Sequence, residues 1–319
     1  MPDAGVLCSL IIPVYRNQEN LDRLLAELAK LAARPDRRLE VVFVVDGSPD
    51  SSREILEQRL PQCSFPSKLI CLSRNFGSFP AIRAGLEAAS GRFFATLAAD
   101  MQEPPELAVR FFEALENDQA DIVFGYRSSR SDPWADELLA SGFWWIYRAF
   151  VVPDLPRGGV DAFGCSQPVR DALLRFPESN TNLIALLFWL GYRRQYVGYD
   201  RLPRREGVSA WTFAKKLQYC FDSIFNFTDL PIRVLLLSGL AGLLFTSVFS
   251  ITVLISRFAG KIPVPGYAPI VLTLGFLGSV GLLGMGIIGQ YLWLCLQNVR
   301  RRPNYVVESF SEFHPPQQV

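Results

Sequence analysis

The groups in this sequence that can do chemistry sit where apolar runs stop. In the stretch 93–106, FFATLAADMQEPPE, an apolar run ends at Asp100, and Pro104 and Pro105 then forbid a strand from continuing. If the chain stays extended past Asp100, Gln102 shares its face, and the pair offers two oxygens to a hard divalent cation that keeps other positions for phosphate oxygens. That donor set suits Mg or Mn travelling with a nucleoside diphosphate, and a neutral Gln avoids crowding negative charge against an anion. Taken alone, the same letters also describe an acidic turn leading into a helix that begins Pro-Pro-Glu. Other run ends carry Tyr15, Asp46, and Arg74 with Asn75, while Arg127 lies in GYRSSR and Asp161 in GGVDAF. A guanidinium at 127 matches the geometry of a diphosphate or a phosphate monoester. The single histidine, His314, lies in a Pro-rich tail, and the six cysteines show no CxxC spacing, which excludes zinc centres and His-based catalytic triads.

The elements that must position these residues alternate. LCSLIIPV, LEVVFVV, KLICL, RFFATLA and DIVFGYR read as strands; ENLDRLLAELAKLA, SREILEQRL, FPAIRAGLEAAS and ELAVRFFEALEND carry leucines and other apolar residues at helical spacing. Strands apolar on both faces, joined by helical crossovers, predict an α/β fold with a parallel sheet between helices. In such a sheet ligands sit beyond the carboxyl ends of the strands, where the candidate residues fall. Between 128 and 168 the pattern is irregular: an aromatic helix containing Phe143, Trp144, Trp145 and Tyr147 reads as core or interface packing, and a Pro/Gly-rich loop leads into a short strand. RDALLRF and TNLIALLFWLG are helical again. WTFAKKLQYCFDSIFNF, 211–227, sets Lys and Gln against Phe, Tyr and Trp and suits a helix lying in a membrane interface.

Half of the 319 residues are hydrophobic, and they are unevenly placed. Val234 to Ile255 holds no charge, nor does Ala268 to Val299. At 1.5 Å per residue the first run spans roughly 33 Å, against about 30 Å of bilayer core, so two transmembrane helices are expected. Arg201, Arg204, Arg205, Lys215, Lys216 and Arg233 precede the first, and Arg300, Arg301 and Arg302 follow the second; the loop between them holds only Arg257 and Lys261. The positive-inside rule then puts both termini in the cytoplasm. MPDAGVLCSLIIPVY lacks a basic start and reads as a first strand, not a signal peptide, which keeps the large domain cytosolic. The formal charge of +1 says little, and no nucleic acid is expected as a partner.

The order IIPVYRNQENL, VVDGSPDSS, LSRNFGSFPAIRAGLEAASG, AADMQEPPEL, GYRSSR, PRGGVDAF and RLPRREGVSAWTFAKK resembles the family 2 glycosyltransferases. Within them it is similar to the polyprenyl-phosphate enzymes related to dolichyl-phosphate mannose synthases and bactoprenol glucosyltransferases, including the branch with two C-terminal membrane helices. The resemblance runs from about Ser9 to Tyr305. It implies a GT-A, Rossmann-like nucleotide-diphosphosugar transferase domain (1–208), an interfacial amphipathic segment (209–232), a two-helix transmembrane hairpin (233–299, helices at about 234–256 and 268–297) and a cytoplasmic tail (300–319). It also implies inverting transfer of a sugar from a nucleotide-diphosphate sugar to a polyprenyl phosphate at the cytoplasmic face of the inner membrane. A UDP-sugar is the favoured donor, and a GDP-mannose-using mannosyltransferase is the alternative.

Residue by residue, the resemblance implies Pro13, Tyr15, Asn17, Asp46, Arg74, Asn75, Ala99 and Asp100 for the donor, and Asp100 with Gln102 for Mg or Mn. Asp100, Arg127 and Asp161 would carry catalysis; Arg201, Arg204, Lys215 and Lys216 would meet the acceptor phosphate and lipid. Homo-oligomerisation is compatible with this branch. Relatives usually read Asp-Ala-Asp-Leu-Gln where this chain has Ala98 to Gln102, Asp-Asp-Gly-Ser where it has Val45 to Ser48, and Tyr-Asn-Glu where it has Tyr15 to Asn17. These departures bear on the nucleotide end of the donor, and the losses at Ala98 and Val45 keep a catalytically inactive, membrane-tethered assembly partner among the alternatives. A polymerising synthase would carry a Gln-x-x-Arg-Trp element and more spans.

Overall fold

The computed structural model describes residues 8–34, 38–128, 156, 160–176, 182–202, 230–258, 267–300 and 302–315. Strands β1 (Cys8–Val14), β2 (Leu39–Val45), β3 (Ser67–Leu72), β4 (Phe93–Thr96) and β5 (Ile122–Arg127) alternate with helices α1 (Leu21–Ala32), α2 (Ser52–Arg59), α3 (Ser78–Ala88) and α4 (Glu106–Glu116). There follow β6 (Ala162–Ser166), α5 (Gln167–Leu174), α6 (Leu183–Trp189), β7 (Arg194–Tyr199), the long helices α7 (Leu230–Phe258) and α8 (Tyr267–Arg300), and β8 (Val307–Phe313).

These strands form one sheet in the order β7, β5, β6, β4, β1, β2, β3, β8. Every residue of β2 is buried, and all of β1 but Pro13, because helices cover both faces of the sheet centre. Leu10, Ile12 and Phe43 face one core layer with the α1 stripe Leu21, Leu24, Leu25 and Leu28; Ile11, Val42 and Val44 face the other with α3 and α6. Pro13 sits in a central strand without loss because β4 pairs with β1 only as far as Ile11 and Thr96, so its missing N–H lies beyond the ladder.

At the amino ends of β1 to β3 lies a buried ion pair, Lys68 Nζ to Glu40 at 2.8 Å, with both side chains under 10% exposed. Ser9 Oγ donates to Glu40 at 2.6 Å, and Lys68 also donates to the Ala88 carbonyl and Ser90 Oγ. Every charge here has partners, as burial requires.

The expected all-parallel sheet is in fact mixed. β6 lies antiparallel between β4 and β5, and β8 lies antiparallel against β3. A five-residue strand such as AFGCS carries no directional signal in its pattern. The reversal matters, because it brings the start of β6, just after Asp161, to the edge where the parallel strands end. The expected tail after residue 300 is corrected too: Ser73 N–H donates to the Val306 carbonyl, Arg53 pairs with Glu308 at 3.0 Å, and Tyr305 donates its hydroxyl to Glu87, so β8 covers an edge that β3 would otherwise expose.

α7 and α8 run for 29 and 34 residues and touch where Gly284 packs on Leu235. Among the described residues no helix is long and apolar enough to cross a membrane. The aromatic helix expected at 131–150 and the interfacial helix at 211–227 lie outside the described residues.

Candidate active site

The carboxyl edge of the sheet divides at β1 and β4, where the chain order turns outward in two directions, the usual place for a ligand crevice in such sheets. On the β1–β2–β3 side three loops are knitted together. Asp46, 3% exposed, accepts the backbone N–H of Phe76 at 2.7 Å and of Gly77 at 2.8 Å, which ties the loop after β3 to the end of β2. Burial pushes its carboxyl above the ordinary range, against the pull of those amides and of Arg74. Gly47, at φ +54, passes so close that a Cβ would meet the Arg74 carbonyl carbon at 2.2 Å. Ser48 Oγ accepts Arg16 N–H at 2.7 Å and donates to Asp50 at 2.6 Å, while Asp50 also accepts from Gln18 N–H. Asn17 Oδ1 accepts Tyr15 N–H at 3.2 Å.

Of the residues expected at the donor, Arg74 and Asn75 are exposed, with the Arg74 guanidinium 4.0 Å from the Phe76 ring centre. Tyr15, Pro13 and Asn17 are half-buried at the same edge. Asp46 is an organiser of these loops. The Ala99 side chain is 1% exposed and packs in the core.

The turn after β4 overturns the extended geometry expected for Asp100 and Gln102. β4 stops at Thr96, whose hydroxyl bonds both the N–H and the carbonyl of Phe163, and the chain then reverses with Met101 at φ +56. A left-handed non-glycine residue costs on the order of 1–2 kcal/mol. Two hydrogen bonds offset it: Asp100 Oδ1 accepts Gln102 N–H at 3.2 Å, and Glu103 Oε2 accepts Ala98 N–H at 2.7 Å. Asp100 is half-buried at the turn, whereas Gln102 is buried and its Oε1 accepts from the Arg201 guanidinium. The Gln102 carbonyl takes Leu202 N–H at 2.9 Å, so the segment after β7 is strapped to this turn. Glu103 is 7% exposed; burial pushes its carboxyl up to about 7, Asp161 and Asp100 add to that, and the Ala98 amide and Arg201 oppose it.

On the other side β5, β6 and β7 bring Arg127, Asp161 and Tyr199 together. Arg127 Nε donates to Asp161 Oδ2 at 2.5 Å, and Tyr199 OH donates to the same oxygen at 3.0 Å. Burial works against the Arg127 charge, but Asp161 outweighs it and holds the guanidinium above its ordinary range; burial and the adjacent Asp161 carboxylate likewise push the Tyr199 phenol up. One carboxylate oxygen thus accepts from both donors.

Among the described residues no group of three His, Cys, Asp or Glu is placed to hold a metal ion. A divalent cation held at Asp100 would therefore draw most of its oxygens from a diphosphate and water, the common situation for Mg. The Gln102 amide oxygen has a second lone pair beside the one given to Arg201. Arg204, Lys215 and Lys216 lie outside the described residues. A cavity of about 760 Å³, lined by Arg92, Asp118, Asp121, Gln167 and Arg175 among others, lies at the amino edge of β4 and β5, away from these groups. The sequence reading missed Glu103, Tyr199 and the Ser48–Asp50 link. Glu103 had a signal, an acid inside the motif, but it read only as part of an acidic turn ahead of a helix.

Residues 9–174 match the domain family described as Glycosyl transferase family 2. The uncharacterized glycosyltransferase sll0501 of Synechocystis sp. is 31% identical over 302 residues, 94% of each chain. An undecaprenyl-phosphate 4-deoxy-4-formamido-L-arabinose transferase of Pseudomonas savastanoi is 30% identical over 94% of this chain and 89% of its own. The bactoprenol glucosyl transferase of Shigella phage SfII is 27% identical over 96% and 99%. With the family model matching more than half of its length and a relative 31% identical along nearly all of it, this chain belongs to glycosyl transferase family 2.

Proposed function

We propose that the protein transfers a sugar from a nucleotide-diphosphate sugar, a UDP-sugar in the favoured case, to a membrane polyprenyl phosphate. The observation that carries this reading is the end-to-end match to relatives named for bactoprenol and undecaprenyl phosphate, which extends through α7 and α8. The loops after β1, β2 and β3 take the nucleotide, and Asp100 with Gln102 would hold the divalent cation. Such a cation neutralises charge on the leaving diphosphate. Arg127, oriented by Asp161 and aligned with Tyr199, holds a phosphate at the crevice. A phosphate monoester has a second pKa of about 6 and is already largely dianionic at neutral pH, so its oxygen attacks the anomeric carbon from the face opposite the diphosphate without a strong base. Asp161 then serves as a positioning group, its Oδ2 already engaged by Arg127 and Tyr199.

The membrane setting belongs to the same proposal. α7 and α8, at 29 and 34 residues, are roughly 44 and 51 Å long. Leu237, Leu244 and Phe245 are each more than 60% exposed on α7, and Leu274, Leu282 and Leu292 on α8, a surface that suits lipid and not water. With Arg233 before the first uncharged run and Arg300 to Arg302 after the second, the catalytic domain and both termini face the cytoplasm.

The test is lipid extraction after incubating the full chain in nanodiscs with undecaprenyl phosphate, Mg or Mn, and radiolabelled UDP- or GDP-sugars. Lipid-linked label is expected, and Asp100→Asn is expected to lower it by about 100-fold or more. No lipid product with any donor ends the proposal, and a product that survives Asp100→Asn removes Asp100 from the reaction.

A further inference from the structure

We infer that Tyr199 is a positioning residue for Asp161, the donor that keeps this carboxylate in place when Arg127 engages a phosphate. The inference rests on the proposed phosphate-holding role of Arg127. Strand register brings the three groups together. Arg127 and Tyr199 are direct partners in the parallel β5–β7 ladder, so they stand side by side on one face of the sheet. Ser128 N–H donates to the Tyr199 carbonyl at 2.9 Å, and Asp161 N–H donates to the Gly125 carbonyl at 3.4 Å just ahead of β6. The two donors to Asp161 Oδ2 differ in what can reach them. The Arg127 and Asp161 side chains are 21% and 29% exposed, open to a ligand in the crevice, whereas Tyr199 is 4% exposed. A phosphate that pairs with Arg127 competes with Asp161 for the guanidinium, since both are anionic acceptors of the same N–H groups. It cannot compete for a buried hydroxyl. Burial and the Asp161 charge push this phenol up, so it keeps its proton and remains a donor. Packing alone would be served by a phenylalanine. The hydroxyl adds a hold on Asp161 that does not weaken as a phosphate arrives.

The experiment measures kcat and both KM values for transfer to undecaprenyl phosphate by the full-length protein in nanodiscs, with the sugar nucleotide that supports turnover. Tyr199→Phe keeps the buried ring and removes the hydroxyl. Its kcat is expected to fall about 5-fold or more while the donor KM stays within about 2-fold of wild type. Placing p-aminophenylalanine at position 199 restores a donor and is expected to recover at least about half of the rate. A double-mutant cycle with Asp161→Ala separates positioning from general damage: once the carboxylate is gone, Tyr199→Phe is expected to cost less than about 2-fold. Wild-type kcat in Tyr199→Phe or in Asp161→Ala overturns the inference. So does an equal loss with and without Asp161, which leaves the hydroxyl as a structural bond. If Tyr199→Phe fails to fold, Tyr199→Leu takes its place in the same cycle under the same expectations. Arg127→Ala runs alongside. If it leaves kcat and the acceptor KM unchanged, the phosphate-holding role of Arg127 fails, whatever Tyr199→Phe does.

Discussion

Raising the pH from 5 to 8 destabilises the wild-type protein relative to Glu103→Gln. In the unfolded chain this carboxyl ionises near its ordinary value of 4.5, and in the folded protein burial moves it up to about 7. Between those values the folded state keeps a proton that the unfolded state has lost. Its stabilising effect is therefore fully present below 4.5 and is lost as pH rises through 7. At 1.36 kcal/mol per pH unit, the gap between 4.5 and about 7 amounts to about 3 kcal/mol. For a domain of about 200 residues that is roughly 6–12 °C in melting temperature. Asp100 and Asp161 face Glu103 and push in the same direction, while Arg201 and the Ala98 amide push back. The assay is thermal unfolding of both proteins at pH 5, 6, 7 and 8 with EDTA present, followed by intrinsic fluorescence. Subtracting wild type from variant cancels the titration of other groups, and the difference is expected to grow from pH 5 and to level off above about 7. A difference that stays flat across this window refutes the claim that Glu103 is held neutral by burial.

Gly47→Ala is expected to cost about 2–4 kcal/mol, since a left-handed residue and a backbone contact at 2.2 Å leave the Arg74–Asn75 segment nowhere to move; chemical denaturation of the variant measures it. Lys68→Met strands the buried Glu40 charge and is expected to lower stability by about 3–5 kcal/mol, whereas Lys68→Met with Glu40→Leu recovers most of the loss. Arg127→Lys keeps the charge but loses the planar fork, and turnover is expected to fall by about 10–100-fold with the fold intact by circular dichroism.

The sequence made the sheet centre legible because β1 and β2 are uniformly apolar and α1 carries its leucines at strict helical spacing. Strand ends could be located, and with them Tyr15, Asp46, Arg74, Asp100 and Arg127. What happens after a strand ends was not legible. The extended path assumed from Asp100 to Gln102 fails because Met101 takes a left-handed conformation that nothing in its side chain announces. That turn depends on Glu103 reaching back to Ala98, and on Arg201 and Leu202 arriving from about a hundred residues away. β8 was hidden for a similar reason. VESFSEF alternates too weakly in hydropathy to declare itself, and its order comes from the open edge of β3.

β8 also constrains where the crevice lies relative to the long helices. α8 ends at Arg300, and Val306 already accepts from Ser73, just past the carboxyl end of β3. Six residues span at most about 21 Å, so the end of α8 lies within that distance of the catalytic edge of the sheet. The segment that precedes α7 in the chain leaves from Arg201 and Leu202, both bonded to Gln102 on the same edge. Both connections to the long helices therefore start from the side where Asp100 and Arg127 stand, which is what the proposed transfer to a lipid phosphate requires. Inserting ten Gly-Ser residues after Arg302 relaxes the shorter connection without touching the crevice. Transfer to polyprenyl phosphate in nanodiscs is expected to fall several-fold while UDP binding stays unchanged. Undiminished transfer would mean that the α8 connection does not set the distance between the catalytic edge and the lipid.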